Sequence, residues 1–324
     1  MPELPEVETV RRGLHELIIG RIIKSVREFE SPKSFPNAAS DIKTFLIGAS
    51  VIDVRRRAKV LLIDLSSEYT LVVHLKMTGQ LVFVGNAAGP AVASAPTSRS
   101  HARLEVGAAP RDVTHGFRDP ERFGAGHPND SLIGELPDRS TRVALEYIDG
   151  SHLYFNDQRK FGWMKLFPTV EVPNIDFMKK VGPEPLEDAF TASTFIERIR
   201  RRNGTTIKAA ILDQTVLAGV GNIYADESLW GAKIHPATRV RDVTDKQLTV
   251  LLKEIKYVMN LAIEKGGSTD KNYVNAEGKR GSYIDFARVF RQDGKACPRH
   301  PDVIIEKIRV AGRGTHICPV CQLQ

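Results

Sequence analysis

The chain runs through two hydrophobic rhythms, and the change between them divides it. Near the start, Val7, Val10, Leu14 and Leu17 recur at helical spacing, predicting a helix with one buried face. Pro5 disfavours helix at Leu4 and suits a first turn, so Pro2-Glu3 is predicted as a short extended stub. Glu6 and Glu8 fall where the helix dipole favours acids. From residue 22 to 84 the pattern becomes that of strands: Val51–Val54, Val60–Ile63, Leu71–Leu75 and Leu81–Val84 are apolar runs. Arg55-Arg56-Arg57-Ala58-Lys59 joins the first two as a basic turn. Residues 85–140 hold no sustained period and are rich in Ala, Gly, Pro and Ser, predicting a long, partly disordered insertion. Strands resume at Arg142–Tyr147, and Asp149-Gly150 predicts a hairpin turn into His152–Phe155. Pro168 to Pro185 reads as a linker. Helical spacing then returns at Ile207, Ala210 and Ile211, is interrupted at Leu217–Asn222, and resumes over Ile223–Trp230 and Lys246–Lys265.

Composition narrows the function classes. The 324 residues suffice for two domains with real cores. No apolar run is long enough to span a membrane, and the charged start is no secretory signal. A net charge of +7 points to a polyanionic partner. From residue 265 to 313 there are eleven Lys/Arg against six Asp/Glu, which concentrates that surplus in one region. All three cysteines follow residue 296, a number and placement that suit metal ligands better than disulfides.

The candidate chemistry starts at Pro2. A small residue after Met1 predicts removal of the initiator, which leaves Pro2 with a free secondary amine. Such an amine titrates near ~8 and is partly nucleophilic at neutral pH. Attack on an aldehyde-like carbon gives a cationic iminium, an electron sink, with Glu3 beside it as acid or base. Lys59, at a hairpin tip, can reach a phosphate or stay solvated. His74 and Met77 lie at a strand end, where structural roles compete with functional ones. Arg159-Lys160-Phe161-Gly162 carries cations and an apolar wedge, the equipment of a duplex-probing loop, unless Phe161 folds inward. Asn222 is placed to cap the following helix, whose amides could receive an anion, with Lys208 adding charge. Cys297-Pro-Arg-His300 and Cys318-Pro-Val-Cys321, seventeen residues apart, have the spacing of one tetrahedral structural zinc site, with His316 a competing ligand.

MPELPEVETVRRGL, HLKMTGQL, NDQRKFGWM, DQTVLAGVGNIYADE and GRGTHICPVCQ together resemble the bacterial formamidopyrimidine-DNA glycosylase family. The blocks span nearly the whole chain outside residues 85–140. The resemblance implies an α+β protein. It would comprise an N-terminal β-sandwich with flanking helices (2–168), a linker (169–185), a helix–two-turn–helix domain (186–290) and a zinc finger (291–324). It implies a cytoplasmic, monomeric base-excision repair enzyme, with one structural zinc, acting on double-stranded DNA that contains oxidised purines or abasic sites. Pro2 would attack the sugar C1′, Glu3 would act as acid and base, and Glu6 would support the site. Lys59 and Arg313 would serve as proton donors. Met77, Arg159 and Phe161 would fill the void left by the flipped lesion, with Lys160 adjoining them. His74, Lys208, Asn222 and Arg313 would grip phosphates. Residues 273–283 resemble the loop that caps flipped 8-oxoguanine.

Four departures stand out. His300 replaces a cysteine, the gap between ligand pairs is one residue longer than usual, and the 85–140 insertion exceeds that of most relatives. Lys160 in place of arginine keeps the charge and loses bidentate geometry. The rival from another class is a non-catalytic damaged-DNA binder, which would keep Asn222, Lys208, the wedge and the zinc finger while losing the Pro2 amine or Glu3. Within enzymes, the runner-up is a relative that prefers oxidised pyrimidines or abasic sites.

Overall fold

The computed structural model describes residues 2–29, 31–86, 122–127, 130–267 and 283–323. Its first helix, α1 (Leu4–Ile18), carries Pro5 in the turn where no amide partner is lost. Leu4, Val7, Val10, Leu14, Leu17 and Ile18 are all buried, the face that the spacing predicts.

Two antiparallel sheets follow. The strands are β1 (Ile23–Glu28), β2 (Val51–Arg57), β3 (Val60–Leu65), β4 (Tyr69–His74) and β5 (Gly79–Val84), then β6 (Arg122–Gly126), β7 (Thr141–Tyr147), β8 (His152–Asp157) and β9 (Trp163–Pro168). One sheet runs β1-β7-β8-β5-β6 and the other β2-β3-β4-β9. Their inner faces and α1 enclose a core that includes Leu61, Ile63, Phe83, Phe123 and Phe155. A short helix α2 (Ala39–Asp41) and a π turn at Ile42–Leu46 cover one end.

Two stretches differ from the sequence reading. Residues 85–140 contain β6, which pairs with β5 from Gln80↔Gly126 to Val84↔Arg122. Phe123 lies against α1 at Gly13, where a Cβ would come within 2.1 Å of its ring. A five-residue strand with glycines at two positions gives almost no alternation, so periodicity missed it. The Pro168–Pro185 linker is also structured: α3 (Asp176–Lys180) follows a 3-10 turn at Thr169–Asn174. Val172, Ile175, Phe177 and Met178 cover the outer face of β3 and β4 at Val60, Leu62 and Val72. That cover explains why β3 reads as one continuous apolar run.

The helical part holds α4 (Ala192–Arg200), α5 (Ile207–Leu212), α6 (Asn222–Gly231), α7 (Asp245–Glu264) and α8 (Tyr283–Phe286). Leu4 belongs to its core, although the rest of α1 packs into the sandwich. Burying one leucine is worth roughly 1.5–3 kcal/mol, so Leu4 stitches the two units at the start of the chain. Arg56 adds a polar clamp: it donates to Glu184 on one side and to Glu8 of α1 on the other. Two small hairpins end the chain: β10 (Ala296–Cys297) with β11 (His300–Ile304), and β12 (Glu306–Val310) with β13 (Arg313–Ile317). Among the described residues no helix is long and apolar enough to cross a membrane.

Candidate active site and nucleic-acid interface

Pro2 and Glu3 are buried at the junction of the two units, against the loop that leads into α6. The Leu4 amide donates to the Gly219 carbonyl at 3.1 Å. Two glycines make this approach possible. At Gly219 the backbone adopts φ +88°, and a Cβ would lie 2.4 Å from Leu4. At Gly221 a Cβ would lie 2.2 Å from the Glu3 carboxyl carbon. The glycines of LAGVGN thus serve the chain's own N-terminus.

Glu3 is held by few partners. Its amide donates to Glu6 Oε2 at 2.8 Å, and its Oε1 accepts from the Ile223 amide at 3.1 Å. Its Oε2 is buried with no hydrogen-bond partner among the described residues. Burial pushes its pKa up to about 7, assisted by the Glu6 charge and opposed by Lys59. The tyrosine hydroxyl of Tyr224 donates to Glu6 Oε1 at 2.5 Å, fixing the second carboxylate. Lys59, whose place at a hairpin tip left both a ligand contact and solvation open, is buried, and donates to the Val220 carbonyl at 2.9 Å. Burial pulls its pKa down and the nearby Glu3 and Glu6 charges oppose this, with Arg313 adding to the lowering. Ala58 turns the hairpin at φ 52°, and its amide is held by Glu184 at 2.6 Å. A carboxyl group poised near neutrality beside a buried cation is equipment for proton transfer.

Two expectations about α6 need correction. Asn222 is not the cap, because Gly221 holds that position and Asn222 starts the helix. Its Nδ2 donates to the Gly314 carbonyl at 3.1 Å, tying α6 to the finger, while its Oδ1 is buried without a partner among the described residues. The anion received by the helix N-terminus is the Glu3 carboxylate, through the Ile223 amide. Lys208 is completely buried and ion-paired with Asp226 at 2.6 Å; it also donates to Thr315 Oγ1 at 2.7 Å and to the Gly314 carbonyl at 3.2 Å. All three of its donors are engaged inside the protein. Asp226 accepts further from the His316 amide and ring, at 3.0 and 3.1 Å. Sequence reasoning missed Asp226; the available signal was an acid pair, Asp226-Glu227, inside an otherwise apolar helix.

The probing loops are exposed as expected. Met77 is 38% and Phe161 54% exposed, with the Arg159 guanidinium 4.9 Å from the Phe161 ring centre. Lys160 stands at the tip with φ 58°, a conformation a lysine adopts at some cost. Asp157, overlooked in the sequence, braces both loops. It accepts from the Thr78 hydroxyl, from the Arg159 amide at 3.2 Å and from the Gly162 amide at 2.6 Å. His74 is buried beside Trp163 and Phe177, and its pKa is pushed down to about 3 by burial and the neighbouring lysines. Its Nδ1 accepts from the Lys76 amide, which leaves Nε2 as the donor of a neutral ring.

Cys297, His300, Cys318 and Cys321 converge, with their ligand atoms within 4.8 Å of one another. The Cys297–Cys321 Sγ separation is 3.7 Å, and His300 Nδ1 lies 3.8 and 3.2 Å from the sulfurs of Cys318 and Cys321. A tetrahedron with zinc–sulfur bonds of about 2.3 Å has edges near ~3.8 Å, so this donor set fits one structural zinc through Nδ1. His316 is engaged with Asp226 and stands outside the cluster. Trp230 of α6 packs on the cysteines, and Arg299 lies 3.8 Å over its ring while donating to the carbonyls of Trp230 and Gly231. Arg313 is exposed on the finger hairpin, one residue from the Gly314 carbonyl that Asn222 and Lys208 share. The expected capping loop lies outside the described residues except for Tyr283, which is buried against Glu227.

Comparison with known proteins places this geometry. The family model of the formamidopyrimidine-DNA glycosylase N-terminal domain matches residues 1–126, that of the formamidopyrimidine-DNA glycosylase H2TH domain matches 181–273, and a zinc finger found in FPG and IleRS matches 303–323. A formamidopyrimidine-DNA glycosylase of Pediococcus pentosaceus is 38% identical over 100% of this chain and 99% of its own. That of Herpetosiphon aurantiacus is also 38% identical, over 99% and 100%. The crystal structure of a Lactococcus lactis FPG mutant with a Fapy-dG containing DNA is similar with TM-score 0.78 at 30% identity, and covers 100% of both chains. The Lactococcus lactis enzyme bound non-covalently to DNA containing an AP site gives 0.77 at 30% identity, again over 100% of both. With identity at this level along its full length, the chain belongs to the formamidopyrimidine-DNA glycosylase family.

Proposed function

We propose that this protein is a bifunctional DNA glycosylase and strand-cleaving lyase of base excision repair, acting on oxidised purines in duplex DNA. It works as a monomer in the cytoplasm. The observation that carries the reading is the buried cluster at the domain junction, where Pro2 and a Glu3 poised near neutrality meet Lys59.

The sugar C1′ is unreachable in a stacked duplex, so the lesion is extruded. Met77, Arg159 and Phe161 enter the vacated space, Phe161 as wedge and Arg159 as donor to the orphaned base. The Pro2 nitrogen then attacks C1′. The base leaves with the glycosidic electron pair and takes up the proton that the attacking amine loses, while Glu3, largely protonated below about pH 7, gives its own proton to the ring oxygen as the sugar opens to the iminium. The resulting iminium acidifies C2′. Loss of that proton expels the 3′ phosphate, and a second elimination expels the 5′ phosphate, with Lys59 and Arg313 supplying protons. Zinc, when bound by Cys297, His300, Cys318 and Cys321, fixes the finger that carries Arg313. Lys208 acts indirectly, because its donors hold the finger and α6 together.

The test is an end-labelled duplex carrying 8-oxoguanine opposite cytosine. Release of the free base together with a one-nucleotide gap bearing phosphates at both ends is expected. Tight binding without base release or cleavage would favour the non-catalytic binder instead.

A further inference from the structure

We propose that His127, at the end of β6, is a further DNA-contacting residue that grips a phosphate of the damaged strand beside the extruded nucleotide. It rests on the glycosylase reading above and extends the interface into the 85–140 stretch, which none of the shared motifs covers.

The placement follows from the sheet. Beside β5, the β6 backbone takes φ +126° at Gly126, where a Cβ would lie 2.5 Å from the Gly79 carbonyl. This close crossing lets the His127 amide donate to that carbonyl at 3.1 Å, while the Gln80 side-chain amide donates to the His127 carbonyl. Gly79 in turn pairs with Asp157 on β8. His127, Gly79 and Asp157 therefore form one row across three strands, at the edge from which the Met77 and Arg159–Phe161 turns leave the sheet. The backbone is pinned on both sides of a half-buried residue.

Its electrostatic surroundings point the same way. Among the described residues, the charged groups that act on the ring are Asp157 from β8 and Arg291 from the segment before the finger; β5 contributes the neutral Gln80. Burial holds the imidazole below its ordinary pKa, Asp157 opposes this and Arg291 adds to it. A phosphate entering between the ring and Arg291 would accept the ring N–H and favour its protonated form.

The experiment uses the full-length protein and a duplex with a tetrahydrofuran abasic analogue, which binds without reacting. Affinity is titrated against salt at pH 6 and pH 8 for the wild type, His127→Ala, His127→Asn and His127→Lys. Losing one protonated phosphate contact makes the slope of log K against log salt shallower by about 1. That loss is expected for the alanine and asparagine variants at pH 6, but not at pH 8. The lysine variant should hold the steeper slope at both. Wild-type slopes in the alanine and asparagine variants at pH 6 would overturn the proposal while leaving the glycosylase reading intact. A wild type that binds this duplex no better than an undamaged one would overturn both.

Discussion

Two lysines are buried among the described residues, one at the tip of the β2–β3 hairpin and one on α5, and they are built for different work. Lys208 donates to Asp226, Thr315 and Gly314, so every one of its protons is engaged. Lys59 makes a single hydrogen bond among the described residues, to the Val220 carbonyl, and faces two carboxylates it does not directly bond. Burial lowers the pKa of both. What separates them is saturation. A buried cation with all donors engaged is a brace, whereas one with protons to spare beside a poised acid can move protons. The same distinction holds for the acids: Asp226 is satisfied on both oxygens, and Glu3 keeps one buried oxygen without a partner among the described residues.

The sharpest way to break this comparison is Glu3→Gln. Removing a general acid costs ~10²–10⁴-fold in the chemical step, measured by single-turnover base release. Stability should move the other way. The folded-state pKa of Glu3 is raised to about 7 from 4.5, so its contribution is most favourable below about pH 4.5 and is lost as pH rises through 7. The glutamine variant should therefore gain stability over the wild type on going from pH 5 to pH 8, by a few kcal/mol at most. A variant that melts lower than the wild type at pH 8 would contradict the poised-acid account.

The two lysines themselves come next. Lys208→Ala leaves the Asp226 carboxylate buried without its lysine, with only His316 still bonded to it, and an expected loss of ~3–5 kcal/mol in denaturant unfolding. Lys59→Ala should cost much less stability and far more activity. Equal stability losses in the two variants would erase the distinction. The smallest effect belongs to Gly221→Ala, whose Cβ would crowd the Glu3 carboxyl group. About 1–3 kcal/mol of strain is expected, with base release impaired and DNA binding retained.

The parts legible in the sequence were those governed by local rules. The α1 face, the β2–β3 hairpin and the Asp149-Gly150 turn follow from spacing and turn chemistry. The zinc site follows from ligand spacing, with His300 in place. Longer-range facts were hidden. Lys59 reads as a tip that either reaches a ligand or stays solvated, because nothing local announces that the α6 loop closes over it. Asn222 reads as a cap because its type and position fit one, yet Gly221 is needed there to make room for Glu3. Lys208 reads as a phosphate ligand until Asp226, eighteen residues on, is seen beneath it. Asp157 and Glu227 escaped notice because most of their partners are backbone amides, which leave no mark on the sequence. Glu227 accepts from the amides of Arg288, Val289 and Phe290 and so fixes the entry to the finger.

The central claim is that the nitrogen of Pro2 becomes bonded to the sugar. Borohydride added to the protein with a duplex carrying 8-oxoguanine opposite cytosine would reduce the iminium to a stable amine. Mass spectrometry of the trapped peptide then locates the bond. The account predicts attachment at Pro2, with trapping abolished when that nitrogen is blocked. Attachment at Lys59, or no adduct on either this duplex or an abasic one with the N-terminus verified as Pro2, would contradict it.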